Sequence, residues 1–235
     1  MTWVPLNVHS QYSILDSTAS VALLAETAKR FSIPALALTD QGNLYGAVDF
    51  YKACKSAGVK PILGCEIWMA PSSRFEKKKT IGIPNGFPIV LLAKNRVGYR
   101  NLCKLSSSGF LDGFYYCPRI DKEVLAAHAE GLICLSGPLS GPIAYRILQE
   151  SEQMLLEEIQ WYRNVFGDDF YFEVQRHPLI EEHVRIDGMD REGWLLQKAQ
   201  DYAANQEKVN NKLIDLSKQL RISLVATNDI HYIDR

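Results

Sequence analysis

Carboxylates and imidazoles recur in this sequence just past short apolar runs, where strand ends would present them together. His9 follows Leu6-Asn7-Val8, with Asp16 soon after. Asp40 follows Ala35-Leu36-Ala37-Leu38-Thr39, and Glu66 comes after Pro61-Ile62-Leu63. Glu173 lies within Phe170-Tyr171-Phe172-Glu173-Val174, with Gln175 and His177 beyond it. Asn228, Asp229 and His231 follow Leu224-Val225-Ala226-Thr227. Such groups converging on one rim are the donor set of a Zn²⁺ or Mn²⁺ site, and ions held this way serve phosphoester hydrolysis. Asp229 and His231 are the most specific pair, because two residues this close at a strand end can aim at one ion. Other positions have plainer uses. Asp40 serves equally well as a helix cap. His177, before Pro178, reads as a hydrogen-bonding loop residue, and His128 and His183 as structural or surface groups. No Walker A sequence, dinucleotide fingerprint or nucleophile elbow competes. Ser136-Gly137-Pro138-Leu139-Ser140-Gly141 lacks the basic residue of a phosphate loop and reads as a turn into a helix.

A rim of this kind needs strands that end together. The seven apolar runs are Leu6–Val8, Ala35–Thr39, Pro61–Leu63, Ile89–Ala93, Leu132–Leu135, Phe170–Val174 and Leu224–Thr227. Several are continuously apolar, as parallel strands buried on both faces are. Helical stretches alternate with them. Ser17, Thr18 or Ser20 caps one through Arg30, and Pro34 stops it. Leu44–Ala57 closes at Gly58, Asp121–Ala129 at Gly131, and Ser151–Val165 at Gly167, with Val97–Ser107 between. Glu192–Leu220 reads as one long helix or two in series. The expectation is an α/β fold: seven mostly parallel strands in a barrel or strongly curved sheet, built from βαβ units, with chemistry at the C-terminal strand ends. Residues 1–235 read as a single domain. Arg74–Pro88 is the one long polar excursion, a loop or hairpin, and its Lys77-Lys78-Lys79 run reads as a solvated face.

The bulk figures agree. The 235 residues are 47% hydrophobic and 23% charged, which excludes wholesale disorder. A net charge of −1, from 26 basic and 27 acidic residues, excludes a strongly basic nucleic-acid glove. Five cysteines without a C-x-x-C pair fit a reduced, cytoplasmic compartment. No apolar run approaches the roughly 18–20 residues of a membrane span. The sequence stops at Asp229-Ile230-His231-Tyr232-Ile233-Asp234-Arg235 with no closing helix, which reads as a fragment of a longer chain.

Several motifs match a known family in order and spacing. They are Leu6-x-x-His9-Ser10-x-Tyr12-Ser13-x-Leu15-Asp16, Ala35–Asp40 with Gly42-Asn43-Leu44, and Lys60-Pro61-Ile62-x-Gly64-Cys65-Glu66. They continue with Leu91–Asn95 and Gly98-Tyr99-x-Asn101-Leu102, then Gly131-Leu132-Ile133-x-Leu135-Ser136-Gly137, and Val225–Asp229-x-His231-Tyr232. The chain resembles the PHP (polymerase and histidinol phosphatase) domain at the N-terminus of the alpha subunit of bacterial DNA polymerase III, a C-family replicative polymerase. The resemblance implies a distorted seven-stranded β/α barrel. It also implies a rim cluster of three metals, with as many as nine ligands in intact members.

By that pattern His9, Asp16, Glu66, Asp229 and His231 survive as ligands, with Asp40 and Asn228 supporting the rim. Four ligand positions are lost: Asn7, Gln41, Pro88 and Pro138. One implied metal (His9, Glu66, Asp229) loses only the ligand at Asn7. A second loses Pro88 and Pro138 and should be gone. A third keeps Asp16 and His231. The expectation is a degenerate centre holding one Zn or Mn ion at most, and more readily none, with Asn7 and Gln41 donating amide N–H bonds to the remaining carboxylates. The implied parent is a nucleotidyltransferase in DNA replication, whose Mg²⁺-binding core lies downstream, and this fragment would carry no catalytic residues. Implied partners are the rest of the polymerase chain, DNA, a proofreading exonuclease subunit and other replisome subunits, with no membrane. The rival is an active metal-dependent phosphoesterase, either a 3′–5′ proofreading exonuclease or a small phosphatase.

Overall fold

Several helices start or stop at the punctuation in the sequence, though the one after Asp121 ends at Ala127, short of Gly131, and the one expected from Leu44 starts at Ala47. In the computed structural model, residues 3–149 and 151–233 are described; Met1, Thr2, Glu150, Asp234 and Arg235, and so both ends of the 1–235 unit, lie outside them. Helix α1 (Val21–Arg30) is capped by Ser20, whose hydroxyl accepts from Leu23 N, and α2 (Ala47–Ala57) ends at left-handed Gly58. Asn95 caps α3 (Arg96–Leu111) and Asp121 caps α4 (Lys122–Ala127). Helices α5 (Pro142–Leu148) and α6 (Glu152–Phe166) follow, then α7 (Glu181–Ile186). Gly193–Leu220 is one unbroken helix of 28 residues, α8.

The strands are β1 (Ala35–Leu38), β2 (Lys60–Met69), β3 (Phe87–Ala93), β4 (Arg119–Ile120), β5 (Leu132–Leu135), β6 (Phe170–Gln175) and β7 (Leu224–Thr227). They form one mixed, curled sheet in the order β1-β2-β3-β5-β6-β7, with β4 paired to β2. β3 runs antiparallel to both β2 and β5, and the other pairings are parallel. This corrects the expectation of a mostly parallel sheet at one strand. A parallel return needs a crossover of a dozen or more residues, usually a helix. Residues 70–86 contain no helix, so the chain folds back as a hairpin.

The strand count matches for a different reason than expected. Leu6–Val8 is not a ladder strand, and β4, unseen in the sequence, replaces it. Pro5 O accepts from Ala37 N, but the Thr39 hydroxyl then takes the Val8 amide at 2.8 Å and breaks the regular pattern. The segment instead lies between the two sheet edges. Thr39 N donates to Val8 O on the β1 side, while His9 N donates to Ile230 O and Ile230 N to Asn7 O beyond β7.

β3 shows why its sequence is apolar throughout. Ile89 and Leu91 pack outward with Leu102, Leu105, Leu132 and Leu213, while Val90 and Leu92 pack inside the curl with Ala37 and Leu135. β7 has no such outer cover, and Leu224 and Ala226 are exposed. No helix among the described residues is long and apolar enough to cross a membrane.

Arg119 fixes the 70–86 excursion. It is 2% exposed, and its guanidinium donates to Gly113 O, Asn85 O and Glu76 O at 3.0–3.1 Å. Burial lowers its pKa, so carbonyl dipoles and the Tyr115 ring hold this charge. Arg119→Leu should cost about 3–4 kcal/mol, since charged hydrogen bonds are lost and buried acceptors stranded. Urea unfolding measures it, and a loss below about 1 kcal/mol would show that the guanidinium does not anchor the loop.

Candidate metal centre

The segment that joins the sheet edges also places the first imidazole. His9 is fully buried, and the residues after β7 bring two partners to it. His9 Nε2 lies 3.1 Å from Asp229 Oδ1, and His231 Nε2 lies 3.2 Å from the same oxygen. The two rings stack, with centroids 4.3 Å apart and planes 8° from parallel. Glu66 Oε2 stands 3.9 Å from His9 Nε2, and Asp16 Oδ2 stands 3.2 Å from His231 Nδ1, at an angle that makes no hydrogen bond. The ligand positions implied by the sequence thus converge. Their grouping differs, because His9, Asp229 and His231 form one cluster with donor atoms within 4.8 Å, rather than dividing between two ions.

The charges are held in different ways. Burial works against the Asp229 carboxylate, yet hydrogen bonds and charge from His231 and His9 hold it well below the ordinary carboxylate range. Burial also opposes the His231 charge, but Asp229 and then Asp16 raise its pKa. Burial, with the negative charges of Asp229, Glu173 and Asp16, pushes Glu66 well up. Glu173 rises to about 7 through burial, partly offset by hydrogen bonds from Thr227 and Gln175.

Asp40 is neither a helix cap nor one of the clustered donors. It is 1% exposed, and it accepts from Ser10 N at 2.7 Å, Ser10 Oγ at 2.8 Å and Ser13 Oγ at 2.7 Å. It pins the loop that carries Asp16, while α2 begins at Ala47 after Gly46, which offers no side-chain cap. Gln41 behaves as its amide chemistry suggests, since Nε2 donates to Asp16 Oδ2 at 2.6 Å. Asn7 does so only in part. Its Oδ1 accepts from Thr39 Oγ1 at 2.9 Å, and its Nδ2, close enough to lower Glu66 and Glu173, completes a hydrogen bond with neither.

Pro88 and Pro138 lie together. A Cβ on Gly141 would meet the carbonyl oxygens of both at 3.0 Å, and one on Gly137 would meet Pro88 O at 2.2 Å. Backbone packing fills this part of the rim, and neither proline side chain offers a donor. Asn228 supports the rim through its backbone, where its carbonyl oxygen lies 2.9 Å from His177 Nε2.

The donors present are of the kind that can hold one ion, their three ligand atoms lying within 4.8 Å of one another. The two Nε2–Oδ1 separations of 3.1 and 3.2 Å are close to the edge of a tetrahedron around Zn²⁺, about 3.3 Å for donors at their usual bond lengths. Sequence reasoning missed Ser10, Ser13, Thr227 and Gln206. Gln206 had a signal: it is the polar member of the buried α8 stripe Gln206, Val209, Leu213 and Leu216.

A family model for the PHP domain matches residues 5–177. DNA polymerase III subunit alpha of Chlamydia muridarum is 52% identical over 234 residues, which is 100% of this chain and 19% of that protein. The same subunit of Treponema pallidum is 45% identical over 237 residues, covering 100% of this chain and 18% of that one. That of Thermus aquaticus is 40% identical over 231 residues, covering 97% and 17%. The chain therefore spans about a fifth of the length of the curated relatives it matches. Among solved structures, a two-domain protein of Bacteroides vulgatus containing a predicted PHP-like metal-dependent phosphoesterase superposes with a TM-score of 0.54 at 12% identity, covering 98% of this chain and 52% of that one. An amidohydrolase of Chromobacterium violaceum gives 0.52 at 12% identity, covering 97% and 87%. At that identity the likeness is one of fold.

The raised Glu173 predicts a pH effect. Between its ordinary value of 4.5 and about 7, the folded chain keeps a proton that the unfolded chain has released. Its contribution to stability therefore falls as pH rises through that window, by on the order of 3 kcal/mol in full. Urea unfolding at pH 5 and pH 8 should show wild type losing most of this relative to Glu173→Gln. Parallel profiles would mean that Glu173 ionises in its ordinary range.

Proposed function

The chain belongs to the PHP domain family, and from that premise we propose that it is the PHP module of a replicative DNA polymerase of the DNA polymerase III alpha type. Residues 1–235 act as one domain of a longer cytoplasmic chain, a distorted β/α barrel whose role is structural and contact-making. The parent chain extends DNA by nucleotidyl transfer, with Mg²⁺ in a core outside this sequence. The module's partners are the remainder of that chain, DNA, a proofreading exonuclease subunit and other replisome subunits. High identity to polymerase alpha subunits along the whole chain supports this reading.

One observation carries the degenerate centre. Pro88 and Pro138, the positions of two second-metal ligands by the family pattern, have side chains that cannot ligate, and their carbonyl oxygens would each lie 3.0 Å from a Cβ on Gly141. Multi-metal phosphoester chemistry needs one ion to activate water and another to clamp phosphate oxygens. What survives is a site for a single Zn or Mn ion at His9, Asp229 and His231, with Glu66 and Asp16 beside it. A bound ion would supply charge that neutralises these carboxylates. Asn7, Gln41, Pro88 and Pro138 are the replaced ligands, and Asp40 and Asn228 support the rim. The alternative, an active phosphoesterase, draws on the same His–Asp–His cluster.

Elemental analysis and a DNA 3′-end cleavage assay separate the two. The 235-residue chain should carry at most one ion, extend no primer and show little cleavage with Mn²⁺ or Zn²⁺. The quadruple variant Asn7→His, Gln41→His, Pro88→His, Pro138→Cys should gain zinc-dependent thermal stabilisation, while single restorations do little. Robust, chelator-sensitive cleavage that disappears in His9→Ala would overturn the scaffold reading.

A further inference from the structure

The cluster includes a backbone corner at Asp229 that residues outside the cluster also hold. Asp229 has φ +50°, in the left-handed region that residues other than glycine seldom adopt. The corner follows β7 and leads into Ile230, which bonds to the segment carrying His9. Its neighbours are gripped from outside the cluster. The Thr227 hydroxyl is bonded to Glu173 Oε1 and receives Gln175 Nε2 at 3.2 Å. His177 Nε2 stands 2.9 Å from the Asn228 carbonyl oxygen.

The hydrogen on His177 can be placed without ambiguity. The His177 backbone N–H, which can only donate, lies 2.7 Å from Gln206 Oε1, and this fixes which end of the amide is oxygen. Gln206 Nε2, a donor, then faces His177 Nδ1 at 3.0 Å, so Nδ1 accepts. The ring proton of the neutral imidazole is therefore on Nε2, where it donates to Asn228. Gln206 is 5% exposed, and Asn210, one turn on, donates to Gln175 O at 2.7 Å. Helix α8 thus anchors the end of β6, and His177 carries that anchorage across to the corner.

We propose that His177, with its tautomer set by Gln206, is a positioning residue for the ion site, holding the Asn228 carbonyl so that Asp229 faces the Nε2 atoms of both His9 and His231. Hydrogen bonds made directly to ligating side chains are typically worth about 10–100-fold in metal affinity, and one that acts through the neighbouring backbone carbonyl belongs at the lower end of that range. The proposal rests on the reading of His9, Asp229 and His231 as a residual ion site.

The test uses the 235-residue chain with two readouts: Zn²⁺ affinity by competition titration, and hydrogen exchange at the Ile230 amide without metal. His177→Ala and Gln206→Leu should each weaken Zn²⁺ binding about tenfold. Both should speed Ile230 exchange while leaving Val90, in the middle of β3, unchanged. His177→Gln keeps an N–H donor and should restore both readouts towards wild type. Faster exchange at Val90 and Ile230 alike would mark a merely structural residue and overturn the proposal. If wild type and His177→Ala bind Zn²⁺ equally, the positioning role fails alone. If wild type takes up no Zn²⁺, the ion-site reading fails and takes this role with it.

Discussion

A curled sheet has two edges, and the site exists only because the segment before α1 hydrogen-bonds to both. Edge strands β1 and β7 lie far apart in the chain. Residues 5–9 meet β1 through Ala37 N to Pro5 O and Thr39 N to Val8 O, and meet the residues after β7 through Ile230. Closure removes exposed backbone donors and acceptors, which would otherwise invite foreign pairing. It also brings His9 from one edge against Asp229 and His231 from the other. The same hydrogen bonds therefore complete the fold and assemble the cluster.

The rim gathers more carboxylates than cations, and the chain offsets this cost in three ways. Asp40 accepts three hydrogen bonds from Ser10 and Ser13, which satisfy its oxygens without a counter-ion. Asp16 takes the Gln41 amide, and Asp229 takes two imidazoles. Glu66 and Glu173, buried among other negative charges, have raised pKa values, which lessens the buried charge near neutral pH. Amides and hydroxyls thus cover part of the negative charge gathered at this rim. Asn7 Nδ2, Glu173 Oε2 and Gln175 Oε1 remain without full partners, and there the cover is incomplete.

The long helix matters for the same reason. The buried stripe of α8 begins at Gln206, and that residue and Asn210 reach the end of β6 rather than the core. β6 in turn contacts the residues on which Asp229 depends. Packing on the outer layer thereby reaches the backbone beside Asp229 through hydrogen bonds of defined direction.

Local signals in the sequence determined a good deal. Ser20, Asn95 and Asp121 cap helices, and Gly58 ends one, because caps and left-handed turns are properties of single residues. The doubly buried β3 was legible in its unbroken apolar run, and the resemblance marked His9, Asp16, Glu66, Asp229 and His231 as positions that meet. Only tertiary structure decided the rest. The direction of β3 depended on the absence of a crossover helix within 70–86; the polar stretch Arg74–Pro88 read as a loop or hairpin, but which way the next strand would run was settled only by its pairing with β2 and β5. Segment 5–9 failed to form a ladder strand because the Thr39 side chain, distant in sequence, took its amide. Asp40 became an anchor rather than a cap because Ser10 and Ser13 reach it from a loop whose path follows from closure. The grouping of His9 with His231 on one Asp229 oxygen was hidden for the same reason: it joins the two edges of the sheet, and sequence spacing carries no record of which edges meet.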